Sequence, residues 1–593
     1  MVTYNTQNPQ ISIWEDRIER SKKFRKRMLK DVKSYIQFYE GKQWGNKRTV
    51  LTEKPVINLV YAHIKVQLPF LYFQNPKWFC NVAMPLRGEE ELKRNAALAE
   101  HFLNYYATEN LGISLKKQMR LAILDAFFSF GVIKVGYVGE FETNPSYGKF
   151  QTLGTDEAGD PIYETNGYGE IMKDDEEEIL THEAFYARRI SPTHLLFDPE
   201  GENYFEDGRY IIQEIVKSVE DVKASKLYEN VEDLQPSFNV RPGYGDYEAQ
   251  LEDLPELQDD LDRITLYEIY DLEHDKLKVY AEGHDEFLRD EDMPDGIDHC
   301  PFEFLRYNEV PDRVYPMSDI ESAKTLQEEI NVGRGMIMTH AKRFARKYGY
   351  TDETFSGTDG ATEMENIKDP EDGTFFKVNS FEAMPKPLEN APLDASVYQN
   401  FQQAFVDFRE VMGSTEADRG LVERRKTATE AGYMAKASGI RKEDRKSLVE
   451  DFAAGVGKKL LQSMQANLTN EHAVQIAGMK GQEWQSITRE NIIGDFSVGV
   501  EIGSVAPQLP EFERQELMQV LQVVTQFPQE VVMAEVNFSG LMRNLHKYFP
   551  LLDMSEVLNT PEVAQQIRQS MEAEKKAMMQ QKQQGQQKPQ GGK

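Results

Sequence analysis

Apolar residues recur every three or four positions between residues 318 and 347, and this spacing predicts a long helix with one apolar stripe. Ser318 and Glu321 are spaced as a capping box, which sets the predicted start of the helix. At a rise of 1.5 Å per residue, the helix would be roughly 45 Å long. The predicted stripe consists of Ile320, Ala323, Leu326, Ile330, Ile337, Ala341 and Phe344.

A second amphipathic helix is predicted over residues 394–412, after a polar segment dotted with glycine and proline. Gly413 follows it at the position where helices often end in a left-handed residue. Two long helices that flank a polar segment form a hairpin, and each has only a narrow stripe to bury. Copies of the chain in a ring would supply the additional neighbours. The second stripe consists of Val397, Phe401, Phe405, Phe408 and Met412.

A third long helix is predicted from Thr427 toward Met464. Thr427 and Glu430 form another capping box at its start. The small residues Ser438-Gly439 predict a weak point along it.

Shorter patterns fill the rest of the chain, and together they predict a mixed α+β fold that is mainly helical. Residues 229–262 are acidic and contain three prolines, which favours a mobile excursion. The Gln-rich end should fray. Helical periodicity is predicted over residues 13–40, 89–110, 114–130 and 511–527, and strand-like alternation over 132–141, 209–216, 264–270, 277–280 and 496–502.

The helix predicted over residues 13–40 carries the one concentrated basic face of the chain. This face is either solvated or pairs with acidic groups of a neighbouring subunit, or it contacts DNA or another acidic partner. Both interpretations stay open at this stage. The basic residues are Arg17, Arg20, Lys22, Lys23, Arg25, Lys26, Arg27, Lys30 and Lys33.

The net charge limits the classes of function. The chain has 593 residues, and 99 acidic residues against 69 basic ones give a formal charge of −30. A sequence-specific nucleic-acid binder normally carries a basic face, so that class is disfavoured. An acidic wall can still surround DNA, because like charge discourages sticking. A chain of this length holds several domains or one elaborate subunit.

The cysteines and the apolar segments give no indication of disulfides, a metal site, a membrane span or a signal peptide. Cys80 and Cys300 are too few for a disulfide framework and lack metal-type spacing, so two reduced, buried thiols are expected. The most apolar stretch, residues 56–73, is too interrupted to span a bilayer. The amino terminus lacks the basic start and apolar core of a signal peptide.

A search for catalytic constellations finds only fragments. Residues 454–459 resemble a phosphate-binding loop but lack its first glycine and its Ser or Thr, and they lie within a helical pattern. His182-Glu183 lacks the second histidine of a zinc-binding helix. Residues 290–292 and 369–373 resemble parts of calcium loops and are better explained as acidic turns. A mechanical or structural role without catalysis, metal or cofactor is therefore expected.

Four local patterns stand in order along the chain. They are Arg189-Ile-Ser-Pro-Thr-His-Leu-Leu-Phe-Asp-Pro199; Cys300-Pro-Phe-Glu-Phe-Leu305 leading through Tyr315-Pro-Met-Ser-Asp319 into Leu326-Gln-Glu-Glu-Ile-Asn331 and Arg334; Thr427-Ala-Thr-Glu430; and Ile493-Gly-Asp-Phe496 followed by Glu501-Ile-Gly-Ser504. Each is weak alone. In their order and spacing they resemble the portal proteins of tailed double-stranded DNA bacteriophages.

The resemblance implies a ring of about twelve identical subunits at one vertex of the capsid, with an axial channel. DNA would be packaged through the channel by the terminase motor and later ejected, and neck or tail proteins would attach to the ring. The implied partners are other copies of the chain, double-stranded DNA without sequence specificity, terminase, major capsid and scaffold proteins, and head-completion or tail adaptor proteins. The chain would be a virion component assembled in the host cytoplasm, with no membrane contact.

The resemblance also divides the chain. It implies N-terminal helices and a mixed α/β wing (1–315), a first stem helix (316–347), a clip (348–390), a second stem helix (391–412), a tunnel loop (413–426), a long helix with a returning wing strand (427–505), C-terminal crown helices (506–575) and a disordered Gln-rich tail (576–593).

Three charged groups are candidate contact sites on this division. The basic end of the first stem helix complements its own macrodipole and the acidic clip; it comprises Arg334, Lys342, Arg343, Arg346 and Lys347. The clip is acidic and either docks terminase or adaptor proteins by charge or is simply solvated; its carboxylates are Asp352, Glu353, Asp359, Glu363, Glu365, Asp369, Glu371 and Asp372. The tunnel loop has mixed charge and either touches DNA phosphates or pairs between subunits; it carries Glu416, Asp418, Arg419, Glu423, Arg424, Arg425 and Lys426.

Two other functions compete with a portal ring. One is another virion structural or scaffold-associated protein, which would not form a ring with an axial hole. The other is a nucleic-acid-processing subunit whose active site is assembled between copies, which would show metal-dependent turnover.

Overall fold

The computed structural model describes residues 8–45, 51–82, 90–150, 152–155, 161–163, 178–240, 258–294, 296–298, 300–343, 348–349, 382, 386–387, 392–413, 428–469, 472–478, 481–501 and 522. The chain divides into two compact units, Met1–Ala506 and Pro507–Lys593. All the described residues except Gln522 belong to the first unit. The helix predicted over residues 511–527 and the Gln-rich tail therefore lie outside the description, apart from that one helical residue.

The described part of the first unit is a mixed α+β structure, as the sequence predicts. The helices are α1 (Pro9–Glu40), α2 (Leu59–Leu71), α3 (Glu90–Tyr105, continued by a π-helical turn at Tyr106–Asn110), α4 (Gly112–Phe128), α5 (Val219–Ala224), α6 (Asp319–Arg343), α7 (Ala395–Met412), α8 (Ala428–Asn467) and α9 (Arg489–Ile492).

The described strands range from 2 to 14 residues in length, and all their pairings are antiparallel. They are β1 (Trp78–Val82), β2 (Gly131–Thr143), β3 (Thr152–Thr155), β4 (Pro161–Tyr163), β5 (Glu178–Arg189), β6 (Leu195–Phe197), β7 (Tyr210–Ser218), β8 (Phe238–Val240), β9 (Gln258–Asp271), β10 (Lys276–Ala281), β11 (Phe287–Asp292), β12 (Phe302–Leu305), β13 (Tyr348–Gly349), β14 (Lys386–Pro387), β15 (His472–Gly478), β16 (Gly481–Ile487) and β17 (Phe496–Val500).

Two sheets organise the β part. The larger one has the order β11-β10-β9-β7-β6, with β8 added beside β9. The smaller one has the order β12-β2-β5. Strand β17 returns from the end of the unit to pair with β1, so residues far apart in sequence close the structure. The remaining pairs are the hairpins β3-β4 and β15-β16, and the ladder β13-β14.

Helix α1 begins four residues before the predicted start at residue 13. The Asn8 side chain accepts a hydrogen bond from the amide of Gln10, and Pro9 occupies the first helical position. This is a favoured start, because an asparagine cap satisfies a free amide and proline has none to satisfy. Gly41 ends the helix with a φ of +85°, in the left-handed region.

Most of the helices share one large apolar core with the smaller sheet and β1. Helix α1 contributes to two cores, because its first half packs on the larger sheet through Ile11, Trp14 and Ile18. Its second half joins the main core through Val32 and Phe38. The helix therefore connects the larger sheet to the helical part of the unit.

Two expectations about the middle of the chain need correction. The mobile excursion predicted over residues 229–262 is wrong at both described ends, since β8 and the start of β9 pair with each other there. Residues 241–257 lie outside the description. The weak point predicted at Ser438-Gly439 does not divide α8, which is helical from Ala428 to Asn467. Thr427 of its predicted capping box lies outside the described residues.

Candidate functional site

Helices α6 and α7 pack against each other as an antiparallel pair. The short strands β13 and β14 follow α6 and precede α7, and they pair Tyr348 with Pro387 and Gly349 with Lys386. The chain therefore returns to α7 beside the place where it left α6. Gly333 allows a close approach, because a Cβ atom there would lie 3.1 Å from Cδ2 of Phe401 on α7.

The predicted stripes of the two helices are largely confirmed. In α6, Ile320, Ala323 and Ile330 are buried, and in α7, Phe408 and Met412 are buried. Their cluster also contains core residues of the smaller sheet and α8, so the pair is rooted in the main core. Ala341 is exposed, contrary to prediction, because the last described turn of α6 extends past that core. The remaining stripe residues Leu326, Ile337, Val397, Phe401 and Phe405 are half-buried, and Phe344 lies outside the description.

The capping box predicted at the start of α6 is only partly confirmed: Ser318 caps the helix, but the predicted return bond from the Glu321 carboxylate is wrong. The Ser318 hydroxyl accepts from the amide of Ile320 at 3.1 Å and donates to the Phe127 carbonyl at 2.8 Å. The Glu321 carboxylate does not return to the cap, because it is hydrogen-bonded by the Tyr35 hydroxyl of α1. The serine thus ties α6 to α4, and the glutamate ties it to α1.

A buried ion pair fixes the same end of α6 to α8. The Asp319 side chain is 4% exposed and accepts two bonds from Arg445, at 2.6 and 2.7 Å. The side-chain amide of Asn308 donates a third bond to it at 2.7 Å. A bidentate arginine pair fixes orientation as well as distance, so the start of α6 is held in one rotation against α8.

A row of buried polar side chains runs along α6, and we call it the polar seam. Gln327, Asn331 and Thr339 are at most 6% exposed and are spaced by multiples of four residues, so they lie on one face of the helix. Between Asn331 and Thr339, Gly335 continues the row without a side chain. Buried polar groups need partners, and residues 51–59 supply them.

Residues 51–59 form a strap that runs along the seam. The Gln327 side chain accepts from the amide of Leu59 at 3.1 Å and donates to the carbonyl of Ile57 at 2.7 Å. Asn331 accepts from the amide of Ile57 at 3.0 Å and donates to Gln43 at 2.5 Å. The side-chain amides of α6 thus form hydrogen bonds directly with backbone groups of the strap, and these bonds set the rotation of α6 relative to the strap.

The far end of the strap comes close to the helix backbone. A Cβ atom on Gly335 would lie 3.0 Å from the carbonyl oxygen of Glu53, so glycine is needed for this approach. The Glu53 carboxylate pairs with Lys342 at 2.5 Å. The strap therefore contacts α6 from Gln327 to Lys342, over about four turns.

The polar seam was missed from the sequence, although its signal is present. Gln327 and Asn331 belong to the motif Leu326-Gln-Glu-Glu-Ile-Asn331 that carries the family resemblance. Two amide side chains four residues apart, inside an apolar stripe, indicate a buried hydrogen-bonded face. What the sequence could not show is that the partner is the strap, which lies about 270 residues earlier in the chain.

The basic face predicted on α1 is not one exposed surface. The Arg25 side chain is only 8% exposed; it pairs with Glu214 of β7 at 2.9 Å and donates to the Thr193 carbonyl. Lys22 donates to the Tyr267 hydroxyl at 2.6 Å. The prediction is wrong for Arg25 because this part of α1 lies on the larger sheet.

The other members of the predicted basic face point outward or pair within the helix. Arg20 pairs with Asp16 and Lys23 with Glu19, one turn earlier in each case. Arg17 lies 4.5 Å from the ring centre of Trp14. Lys26, Arg27 and Lys30 are exposed, and Lys33 is half-buried. What this face contacts stays a prediction.

Several predicted contact residues fall outside the description. They are Arg346 and Lys347; Asp352, Glu353, Asp359, Glu363, Glu365, Asp369, Glu371 and Asp372 of the clip; and Glu416, Asp418, Arg419, Glu423, Arg424, Arg425 and Lys426 of the tunnel loop. Arg334, Lys342 and Arg343 are described and are exposed on α6. Gly413 ends α7 with a φ of +62°, as predicted.

A second motif of the resemblance also has a structural explanation. Asp198 of the Asp-Pro pair is buried and accepts bonds from the Arg209 guanidinium at 2.8 and 3.3 Å. It also accepts from the amides of Glu200 and Arg209. Burial opposes its ionisation, but these bonds hold the pKa of Asp198 below its usual range. The motif thus fixes the turn between β6 and β7.

Glu303 of the motif Cys300-Pro-Phe-Glu-Phe-Leu305 lies where β12 meets α8. A Cβ atom on Gly455 would be 2.2 Å from a Glu303 carboxylate oxygen, so the helix is held close to the strand. Lys459 lies 3.6 Å from the other carboxylate oxygen. Burial raises the pKa of Glu303 to about 7, although Lys459 acts in the opposite direction.

No catalytic constellation is assembled among the residues that the structure describes. Residues 454–459 lie within α8, and His182-Glu183 lies on the strand β5. Residues 290–292 lie on β11, not in the acidic turn that was expected. Asp271, Glu273 and His274 are close enough to share a cation, but His274 already contacts both Asp271 oxygens at 3.0 and 3.1 Å.

Both cysteines are buried and free, as expected. Burial raises the pKa of Cys80 to about 12 and that of Cys300 to about 11, so both are unreactive thiols at neutral pH. Among the helices in the described part of the chain, none is long and apolar enough to cross a bilayer.

In the described architecture, the pair of helices α6 and α7 is rooted in an α+β body, and the chain segments at one end of the pair are joined by the β13-β14 ladder. The family model described as Phage SU10 portal protein matches residues 131–591. The chain therefore belongs to the phage SU10 portal protein family, which confirms the predicted family. Portal proteins are structural components of virions. A comparison with curated proteins found no match.

The family match begins at β2, so α1, the strap, α2, α3 and α4 precede it. These elements are nevertheless part of the same core as the matched region.

Proposed function

We propose that the chain is the subunit of a portal ring, which forms the axial channel at one vertex of a phage capsid. Double-stranded DNA would be packaged through the channel by terminase and later ejected through it. The family match over residues 131–591 carries this proposal. Capsid and scaffold proteins would contact the ring inside the shell, and head-completion or tail adaptor proteins would attach from outside.

The division of the chain follows from the helix pair. We assign α6 and α7 to the stem, and residues 348–390 to the clip that protrudes from it. The β13-β14 ladder supports this assignment, because it ties the two ends of the clip segment at one end of the pair. The assignment places the wing in residues 1–315 and 427–505, the tunnel loop in 413–426, the crown in 506–575 and a disordered tail in 576–593.

Charge suits a conduit that does not grip its cargo. With a formal charge of −30 on each copy, a ring would present a largely electronegative wall. Repulsion between the wall and phosphates would favour sliding over binding. The basic residues of the tunnel loop would then contact DNA only transiently or pair with carboxylates of a neighbouring subunit.

Electron microscopy of the purified full chain tests the ring directly. We expect turbine-shaped rings of about twelve copies with an axial hole. Filaments or isolated monomers at all protein concentrations would contradict the proposal. Nuclease and ATPase assays on the same preparation should show no turnover, and metal-dependent activity would favour a processing enzyme instead.

The clip assignment has its own test. Replacing Asp369, Glu371 and Asp372 by lysine should weaken capture of the terminase subunits and leave ring assembly intact. The matched control reverses three exposed carboxylates, Glu220 and Asp221 on α5 and Glu229 after it, and so changes the net charge by the same amount. If both variants capture terminase equally well, the acidic clip residues are not the docking site.

A further inference from the structure

Two segments in the first quarter of this acidic chain have no acidic residue. About one residue in six is Asp or Glu along the whole sequence, 99 of 593, yet residues 54–88 and 110–124 contain none. The same two segments contain Lys54, Lys65, Lys77, Arg87, Lys116, Lys117 and Arg120. They include all of α2 and most of α4.

The two segments lie side by side in the structure. The Asn75 side chain donates to the Gly112 carbonyl at 3.0 Å, and Arg120 donates to the Tyr72 carbonyl at 3.3 Å. Together the outward sides of α2 and α4 form a surface that we call the α2–α4 face. Its chemistry is set by both helices, not by one isolated stretch.

The α2–α4 face exposes large apolar side chains. Tyr61 is 44% exposed, Val66 37%, Phe73 48% and Ile113 74%. Tyr61 and Val66 lie on α2, and Phe73 lies two residues after its end. Several large apolar side chains exposed on neighbouring elements are a feature of contact sites.

Lysines are held over the aromatic rings of this face. The ammonium group of Lys65 lies 5.4 Å from the ring centre of Tyr61, and that of Lys116 lies 5.2 Å from the ring centre of Phe73. Lys442 of α8 lies 5.6 Å from the ring centre of Phe70. These distances are within the range of cation–π contact. The positive charges are thus kept next to the apolar groups and not spread through solvent.

Charge decides what such a surface fits. Two copies of a chain with a charge of −30 repel each other, so close contact is favoured where one copy presents a surface whose own segments contain no carboxylate. The α2–α4 face meets this condition, and its apolar groups add burial to charge attraction. A nucleic-acid backbone would satisfy the lysines but would leave Val66 and Ile113 without apolar partners.

We propose that the α2–α4 face is a subunit contact, which receives a carboxylate-bearing and partly apolar surface of a second copy of this chain. The proposal rests on the ring assembly of the proposed function and identifies one of its two contacting surfaces. It also gives a role to elements that precede the region matched by the family model.

Charge reversal provides the first test. Lys65→Glu with Lys116→Glu should raise the protein concentration needed for half-assembly by about tenfold or more. The matched control reverses Lys93 and Arg94, which are exposed on α3 and change the net charge by the same amount. Mass photometry at about 50 mM and about 500 mM salt measures assembly, and the difference between the two variants should shrink at high salt.

Three further measurements make the result decisive. Tyr61→Ser with Phe73→Ser should weaken assembly at both salt concentrations, because it removes apolar contact and no charge. Lys65→Gln with Lys116→Gln replaces the charge reversal if circular dichroism shows that the latter does not fold. Carbodiimide treatment of rings mixed from isotope-labelled and unlabelled copies should join Lys65 or Lys116 to a carboxylate of the other copy.

The outcomes separate this proposal from the proposed function. If wild-type rings form and the α2–α4 variants assemble like the control, the face is not a subunit contact and the ring stands. Binding of short duplex DNA or of vesicles with anionic lipid, lost in the same variants while assembly is unchanged, would also overturn the proposal. If the wild-type chain forms no rings under any condition, the proposed function itself fails.

Discussion

The strap along α6 leads to a sharp prediction for Asn331→Leu. Asn331 is 2% exposed, accepts from the amide of Ile57 and donates to Gln43. Its side-chain oxygen also accepts from Gln327 at 3.3 Å. Leucine has a similar size and can form none of these bonds, so the Ile57 amide and the Gln43 side-chain oxygen lose a partner, while the Gln327 amide group keeps its bond to the Ile57 carbonyl. Each such loss costs about 1–3 kcal/mol, and the added apolar burial offsets part of it. A net cost of about 3 kcal/mol is expected for closing the strap on α6.

This cost should appear as local opening. No second acceptor of the Ile57 amide is found among the described residues, whereas the Leu59 amide also bonds the Ile57 carbonyl. Hydrogen exchange of the Ile57 amide, followed by mass spectrometry of a peptide that covers the strap, should therefore accelerate about 100-fold in Asn331→Leu. The Leu59 amide should change less.

Thr325→Leu is the matched control, because Thr325 is exposed on the same helix. Its exchange at Ile57 should stay within about threefold of the wild type. The reasoning would be refuted if Asn331→Leu left exchange at Ile57 as slow as the control does. A general loss of stability without faster exchange in the strap would also refute it, because the seam would then act only as packing.

Three further predictions concern buried charge. Arg25→Met leaves Glu214 without its cation and should lower the unfolding free energy by about 3 kcal/mol in thermal melts. The control Lys30→Met, on the exposed side of α1, should change it by less than about 0.5 kcal/mol. Equal effects of the two substitutions would contradict the burial of Arg25. Arg445→Gln should destabilise the chain by about 3–5 kcal/mol, and Asp319→Asn added to it should restore part of the loss, because the uncompensated carboxylate is removed; no restoration would argue against the ion pair. Glu303 has a pKa of about 7, above its ordinary value of 4.5, so the folded state binds this proton more tightly and loses the associated stability as pH rises from about 4.5 to 7. Denaturant titrations should therefore show that, as pH rises across this window, the unfolding free energy of Glu303→Gln increases relative to that of the wild type by up to about 3 kcal/mol. If the unfolding free energies of the two proteins change in parallel with pH, the Glu303 carboxyl is not held in its neutral form.

The helix pair could be predicted because its signals are local. Periodic apolar residues define α6 and α7, and Gly413 marks the end of α7 with a left-handed residue. Asp394 also caps α7 by accepting from the amide of Ser396. Caps and periodicity act within one or two turns, so the sequence contains all the information needed to recognise them.

The environment of charged residues could not be predicted in the same way. On a helical wheel Arg25 belongs to the basic side of α1. Its partners lie about 170 to 190 positions later in the chain: the Thr193 carbonyl in the turn before β6, and Glu214 on β7. Tertiary partners override local polarity, because a buried arginine that is paired with a carboxylate is tolerated. The same reason hid the strap, whose partners on α6 are equally distant in sequence.

For the candidate contact residues, the sequence predicted which charged side chains are exposed but not which partners they have. Residues on regular helices, such as Arg334 and Lys342, are exposed in the second half of α6, where the pattern placed them. Lys342 was expected to complement the helix dipole and the acidic clip, but its described partner is Glu53 of the strap. A single helix pattern gives the side of a charged residue and does not give its partner.

The hydrogen bonds of the polar seam should respond differently to salt and pH from the charged contacts of the α2–α4 face. Gln327, Asn331 and the strap backbone carry no net charge, so neither ionic strength nor a change of pH near neutrality alters their attraction. The lysines of the α2–α4 face respond strongly to both ions and acidic neighbours. In the proposed ring, electrolyte would therefore change the strength of subunit association while α6 keeps its rotation against the strap, so assembly and the setting of the proposed channel wall would depend on different interactions.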